Sequence, residues 1–267
     1  MKIYDCFTFN DENELLEIRL NHLKSIVDYF IIVECKYSHQ GNIKGQNFNF
    51  SILEKFKGKI RYFYLEEKIN SKNSWEIEAW QRQQISKGLN DCSPEDIVIV
   101  SDVDEIPNIE KEDIKKIGNY VYAFRQILLM YKLNLMRKRT WIGSKMCKYS
   151  ILKSPQWLRQ LKVHKKYSIL RLDKLFSKTY YKNFKIINNG GWHFGWLKSP
   201  EKIIEKVQSY AHTEHNIPKY KDKHYIDNCL NKNINFLDGN EKLFKLNEKY
   251  LPSYIRNNIK KYKKWLV

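Results

Sequence analysis

Hydrophobic residues in this chain recur with two alternating periods, one of strands and one of helices. Lys2 to Phe9 has the aromatic and β-branched content of a first strand. Leu15, Leu16, Ile18, Leu20 and Leu23 then follow at helical spacing, with Asn10-Asp11 as the expected cap. Glu12, Glu14 and Glu17 fall early, where carboxylates complement a helix dipole. Tyr29 to Val33 reads as a second buried strand ending in Glu34, and a polar stretch through Gly41 and Gly45 as a loop. Ile60 to Leu65 reads as a third strand, and Trp75 to Leu89 as a helix leading to a fourth strand at Ile97 to Val100. Strands alternating with helices in this way predict an α/β fold, with a Rossmann-type, mostly parallel sheet flanked by helices. Ligands of such sheets gather at the carboxyl ends of the strands.

Beyond Pro107 the pattern changes. Tyr120 to Leu135 is strand-like and aromatic, Trp141 to Leu152 alternates poorly, and Arg159 to Lys174 is basic. Three glycines, two tryptophans and a histidine crowd between Asn188 and Trp196, a stretch costly to order unless backbone must pass close to a ligand. Ser199-Pro200-Glu201 opens a helix carrying Ile203, Ile204, Val207 and Tyr210. With no repeat and no persuasive linker, a single domain is expected over residues 1–267. Within it, 1–107, 108–216 and a helical C-terminal extension, 217–267, are the expected parts.

The chemistry concentrates in Ser101-Asp102-Val103-Asp104-Glu105-Ile106-Pro107. An apolar strand delivers three carboxylates at its carboxyl end, and Pro107 stops the ladder. In an extended segment residues i and i+2 point the same way, so Asp102 and Asp104 converge, while Glu105 points away. Two converging carboxylates repel unless a cation lies between them, and Mn²⁺ or Mg²⁺ suits oxygen ligands. Such an ion is most useful when it also carries phosphate, which points to a nucleotide diphosphate. The same Asp-x-Asp pattern occurs in haloacid-dehalogenase-like phosphohydrolases, but there Thr or Val usually stands where this chain has Ile106.

His193 is the candidate third metal ligand, since imidazole completes a Mn²⁺ site readily. Trp192 and Trp196 offer either a stacking surface for sugar or base or ordinary core packing. Arg82 and Lys206 are candidates to offset diphosphate charge. His212 and His215 read equally well as site residues or as a solvated helix end. The segment from Tyr254 to Leu266, basic with aromatic and Ile residues on one side, reads as a docking helix in preference to a membrane-surface helix.

Bulk composition narrows the partners. The chain of 267 residues is 42% hydrophobic, enough for a real core. Its formal net charge of +18 favours anionic company. No fold signature of nucleic-acid binding is present, so no nucleic-acid partner is expected. Cys6, Cys35, Cys92, Cys147 and Cys229 show no paired spacing, which suits reduced thiols in a cytoplasmic setting. No leader and no apolar run long enough to span a bilayer occur, so any membrane contact is expected to be peripheral.

Several of these stretches resemble glycosyltransferase family 17. The similarity runs through Asn10-Asp11-Glu12 with Leu15 to Leu20, Val27 to Glu34, Ser101 to Pro107 and Gly190-Gly191-Trp192-His193-Phe194. The resemblance implies a GT-A-like fold and inverting transfer of a sugar, N-acetylglucosamine from UDP-GlcNAc in the animal members, to a glycan or glycolipid hydroxyl. It makes Asp102 and Asp104 the metal- and nucleotide-binding pair and His193 a ligand. Inversion also needs a base for the acceptor hydroxyl. Glu105 and Glu34 are the catalytic candidates.

Overall fold

A computed structural model describes residues 1–109, 114, 117–162 and 181–267. The stretch 163–174 of the basic segment lies outside these residues. The amino-terminal half runs β1 (Ile3–Phe9), α1 (Asn13–Leu23), β2 (Tyr29–Cys35), α2 (Ser51–Lys55), β3 (Ile60–Leu65), α3 (Ser74–Gln83) and β4 (Ile97–Asp102). Its four strands lie parallel in the order β3-β2-β1-β4. Residues on β4 alternate between two cores: Ile97 and Ile99 pack into one, Val98 and Val100 into the other. All four are 0% exposed. Such two-sided burial explains the unbroken apolar run, because a strand covered on both faces has no solvent side to mark with polar residues.

A short β5 (Glu105–Pro107) follows, then β6 (Val121–Met130) and the long β7 (Leu135–Lys148). β7 pairs antiparallel with both β4 and β6 and joins the halves into one sheet, ordered β3-β2-β1-β4-β7-β6-β9-β5 with β9 at Gly191–Gly195. β7 is the strand hidden in the poorly alternating stretch from Trp141. Register shifts between Ala123 and Arg125 and between Ile127 and Leu129 break the period of its pairing with β6. α4 (Pro155–Gln160), β8 (Phe184–Ile187), β9 (Gly191–Gly195), α5 (Pro200–Ser209), α6 (Lys223–Asn231), β10 (Phe244–Lys245) and α7 (Ser253–Arg256) complete the chain. The result is the expected α/β arrangement, a mostly parallel sheet flanked by helices.

Three local expectations are corrected. α1 begins at Asn13 with Glu12 at its cap and no capping side-chain bond, because Asp11 and Glu12 are turned toward lysines instead. α3 ends at Gln83 and tightens into a 3₁₀ turn, Gln84–Gly88, short of the single helix read to Leu89. The C-terminal segment is short turns rather than one helix, yet it docks: Ile255 and Tyr262 bury against Leu15 and Ile18 of α1. Tyr254 and Lys261 both reach Glu17, the Tyr254 hydroxyl donating at 2.9 Å. Among the described residues no helix is long and apolar enough to cross a membrane, and all five cysteines carry free thiols.

Candidate active site

A cavity of about 620 Å³ opens where the carboxyl ends of β1 and β4 meet β9, α3 and α5. Asp102, Asp104 and Glu105 all line it. They do so through a turn, not through an extended strand. β4 ends at Asp102, Val103 and Asp104 form the turn, and β5 starts at Glu105. Val103 buries in the core beneath, so its two neighbours face the cavity. The turn also resets the alternation, which is why Glu105 joins the same cavity and does not point away.

Each carboxylate there already has basic company. Asp102 accepts from Arg82 at 3.0 Å and from Arg159 at 2.7 Å. Burial would raise its pKa, but the two guanidiniums outweigh it and hold the carboxyl well below the usual range. Glu105 Oε1 accepts from Trp141 Nε1 at 2.6 Å and from Arg159 at 2.9 Å. Among the described residues its Oε2 receives only the Asp102 backbone N–H, at 3.3 Å. Asp104 Oδ2 lies 3.7 Å from His193 Nε2 and 3.8 Å from Lys206 Nζ. Burial lowers the His193 pKa and the Asp104 charge more than restores it, for a net upward shift. His193 Nδ1 is buried without a partner among the described residues. Lys206 also bonds Glu12 at 3.3 Å. Burial opposes ionisation of Glu12, yet Lys206 and Lys198 prevail and bring it down to about 2.

One buried cation fixes the whole turn. Arg19, 0% exposed, pairs with both oxygens of Asp5 at 2.7 and 2.6 Å. It donates further to Ser101 Oγ at 2.6 Å and to the carbonyls of Asp102 and Glu105 at 2.8 and 3.0 Å. Beside the turn, burial and the Arg159 charge pull buried Lys145 down to about 7.

The candidates sort clearly. Asp102, Asp104, Glu105, His193 and Lys206 line the cavity. Arg82 stands behind Asp102, 4% exposed and shared with Glu78 and Gln156, so it positions that carboxylate. Glu34 is not a catalytic group. It is 0% exposed and accepts from the Asn47 and Phe48 backbone N–H groups and the Tyr62 hydroxyl, which secures the loop after β2. Trp192 is not a stacking surface. Adjacent residues on β9 face opposite ways, so with His193 toward the cavity, Trp192 buries beside Ile106 and its Nε1 donates to the Tyr250 carbonyl at 2.8 Å. The tryptophans that do line the cavity are Trp75, Trp141 and Trp196. Nor do the paired glycines approach a ligand: a Cβ on Gly191 would meet the Ile106 carbonyl oxygen at 2.1 Å and one on Gly190 the Phe124 Cα at 2.9 Å. They let β9 pass close to β5 and β6.

Sequence reasoning missed Arg19 and the pairing of Asp11 and Glu12 with Lys198 and Lys206. The former left a signal, since Asp5 interrupts an apolar strand and Arg19 an apolar helix face, and charges so placed need each other.

Carboxylates, an imidazole and basic side chains gather at the carboxyl ends of the parallel strands of an α/β protein, where ligands of such sheets bind. The sequence model of the family described as Glycosyltransferase family 17 matches residues 1–266, and the chain belongs to that family. It is similar to the beta-1,4-mannosyl-glycoprotein 4-beta-N-acetylglucosaminyltransferase of Rattus norvegicus, at 20% identity over 96% of this chain and 53% of that protein. The protein of that name from Homo sapiens is 20% identical over 89% of this chain and 47% of its own length. The chain thus spans about half the length of these curated relatives. Among solved structures, HddC from Yersinia pseudotuberculosis, complexed with GMP-PN, aligns over 70% of this chain and 90% of its own at 11% identity and a TM-score of 0.36. The galactosyltransferase LgtC, solved with donor and acceptor sugar analogues, aligns over 57% and 59% at 12% identity and a TM-score of 0.31.

Proposed function

We propose that the chain is an inverting, divalent-metal-dependent glycosyltransferase that moves a sugar, N-acetylglucosamine on the relatives' example, from a UDP-linked donor to a glycan or glycolipid hydroxyl. The observation that carries this reading is the gathering of Asp102, Asp104, Glu105, His193 and Lys206 on one cavity at the strand ends.

The residues present fit Mn²⁺ better than Mg²⁺. Asp104 and His193 face each other across 3.7 Å, too far for a direct hydrogen bond, and one imidazole beside carboxylate oxygens is a Mn²⁺-type donor set. Asp102 gives each oxygen to an arginine but keeps further lone pairs for a cation. When bound, such an ion supplies charge neutralisation to a departing diphosphate. The chain's own cations add to that. Arg159 reaches the cavity wall held by Asp102 and Glu105, and Lys206 is aimed between Glu12 and Asp104. Glu12, held below the usual carboxylate range by Lys206 and Lys198, is a poor choice of base for a hydroxyl proton. Glu105, with Oε2 the less engaged oxygen, is our choice of base.

The test is a thermal-shift panel of UDP-, GDP- and CMP-linked sugars, with and without Mn²⁺, followed by transfer assays. A UDP-sugar with Mn²⁺, at about a hundred times its Kd, should raise the melting point by about 5–10 °C. Asp104→Asn should lose that shift and at least ~10²-fold in transfer rate, and chelator should abolish turnover. Full turnover in chelator, or release of phosphate from simple monoesters without sugar transfer, would overturn the reading.

A further inference from the structure

His212, Glu214 and His215 follow α5 at the edge of the cavity, His212 at the cap of the turn Thr213–His215 and the other two within it. One donor atom from each lies within 4.8 Å of the other two. His212 Nδ1 already meets Glu214 Oε1 at 2.6 Å. His215 Nδ1 is hydrogen-bonded to the Tyr210 hydroxyl, which leaves Nε2 available as a ligand and fixes the ring's orientation, as the outer partners of metal-bound imidazoles do. The two imidazoles stack at 5.5 Å, and the edge of Trp75 packs against His212 at 4.6 Å.

The backbone leading into this group is pinned from two other elements. The Ser74 hydroxyl, at the start of α3, donates to the Ala211 carbonyl at 2.8 Å. The Gln40 side-chain amide donates to the Tyr210 carbonyl at 3.2 Å. Three potential ligands from one short turn are therefore held together by packing and hydrogen bonds before any ion arrives, which lowers the ordering cost of binding.

From this geometry we infer that His212, Glu214 and His215 form a second metal site, for a borderline divalent transition ion of the Zn²⁺ or Co²⁺ class. Two imidazoles and one carboxylate are the donor set of three-ligand sites that keep a coordination position open. Imidazole favours such ions over Mg²⁺, which demands oxygen ligands. Both histidines line the cavity, so the open position is offered to an oxygen of whatever occupies its mouth. The site is distinct from Asp104 and His193 in residues and in preferred ion, and it stands whether or not the transferase reading does.

Cobalt reports the site without an activity assay. The full chain carrying Asp104→Asn, which disables the other candidate ion site, is titrated with Co²⁺ and followed by visible absorption. A low-coordinate Co²⁺ band saturating at one ion per chain is expected, and it should vanish when His212→Ala and His215→Ala are added. Absence of the band at millimolar cobalt, or its survival in that triple variant, overturns the assignment. Near-UV circular dichroism checks the fold. Should the triple variant unfold, H215Q alone decides: affinity at least ~10-fold weaker supports the site, and unchanged affinity overturns it.

Discussion

Replacing Arg19 with Met tests what holds the acidic turn in place. The guanidinium is fully buried and satisfies both oxygens of Asp5, Ser101 Oγ and the carbonyls of Asp102 and Glu105. Met keeps an unbranched apolar stem as far as the ε position but leaves the Asp5 carboxylate buried without a cation, a loss of about 3–5 kcal/mol. The Asp102 carbonyl loses its side-chain donor as well, for about 1 kcal/mol more. Ser144 still bonds the Glu105 carbonyl, so that group adds little. The loss of about 4–6 kcal/mol is a large share of the 5–15 kcal/mol that typically separates folded from unfolded chains. Urea unfolding followed by tryptophan fluorescence would show it as a fall in midpoint at constant slope. The pair Asp5→Leu with Arg19→Met separates the two jobs of the arginine. An apolar pair of similar volume is often close to neutral, so stability should recover most of the loss. Transfer activity should stay low, because the turn carrying Asp102 and Asp104 remains unclamped. A loss below ~1 kcal/mol in the single variant, or a double variant no more stable than the single, refutes the reasoning.

Two further outcomes follow from side chains away from the cavity, Trp192 buried and His22 half-buried. Trp192→Phe should cost about 1–2 kcal/mol in thermal melting through the lost Tyr250 bond and packing, while donor affinity stays within about twofold of the parent; a larger fall in affinity would return Trp192 to the site. Burial and the Arg256 charge bring His22 down to about 4. Between its unfolded value near 6.5 and that point the unfolded chain takes up a proton that the native one refuses, so stability falls as pH drops through this window, by at most about 3 kcal/mol. His22→Phe should flatten that slope in urea midpoints measured across the window, and an unchanged slope would assign it to other groups.

The fold of the first half was legible because its elements carry their own period. Ile97 to Val100 must be buried on both faces to be so apolar, and the clusters on the two sides of β4 show why. The second half was not, because β7 spans buried and exposed ground and its pairing with β6 slips at two places. A strand with no constant face has no constant alternation. The docking of Ile255 and Tyr262 was readable as an apolar side, but its breakup into short turns was not.

The site divides along the same line. That Asp102, Asp104 and His193 would meet on one cavity was legible because carboxylates at the end of a buried strand, and a lone imidazole among glycines, are locally conspicuous. Trp192 misled for a local reason too: beside His193 on one strand it cannot share its face, so reading both into the cavity contradicted the strand's own geometry. Glu34 also ends a strand, but its charge meets backbone N–H groups of the next loop before it can meet a ligand. What no local pattern discloses is which base each acid finds. Lys198 reaches Asp11 and Lys206 reaches Glu12 across most of the chain. That choice also holds the Glu12 carboxyl below the usual carboxylate range, which weakens it as a base, and it leaves α1 without a side-chain cap. Glu12 stands where a helix N-terminus favours a carboxylate, and that would have explained it fully. Its position at the cavity wall, facing Lys206 and sharing that lysine with Asp104, shows the same charge serving the site instead.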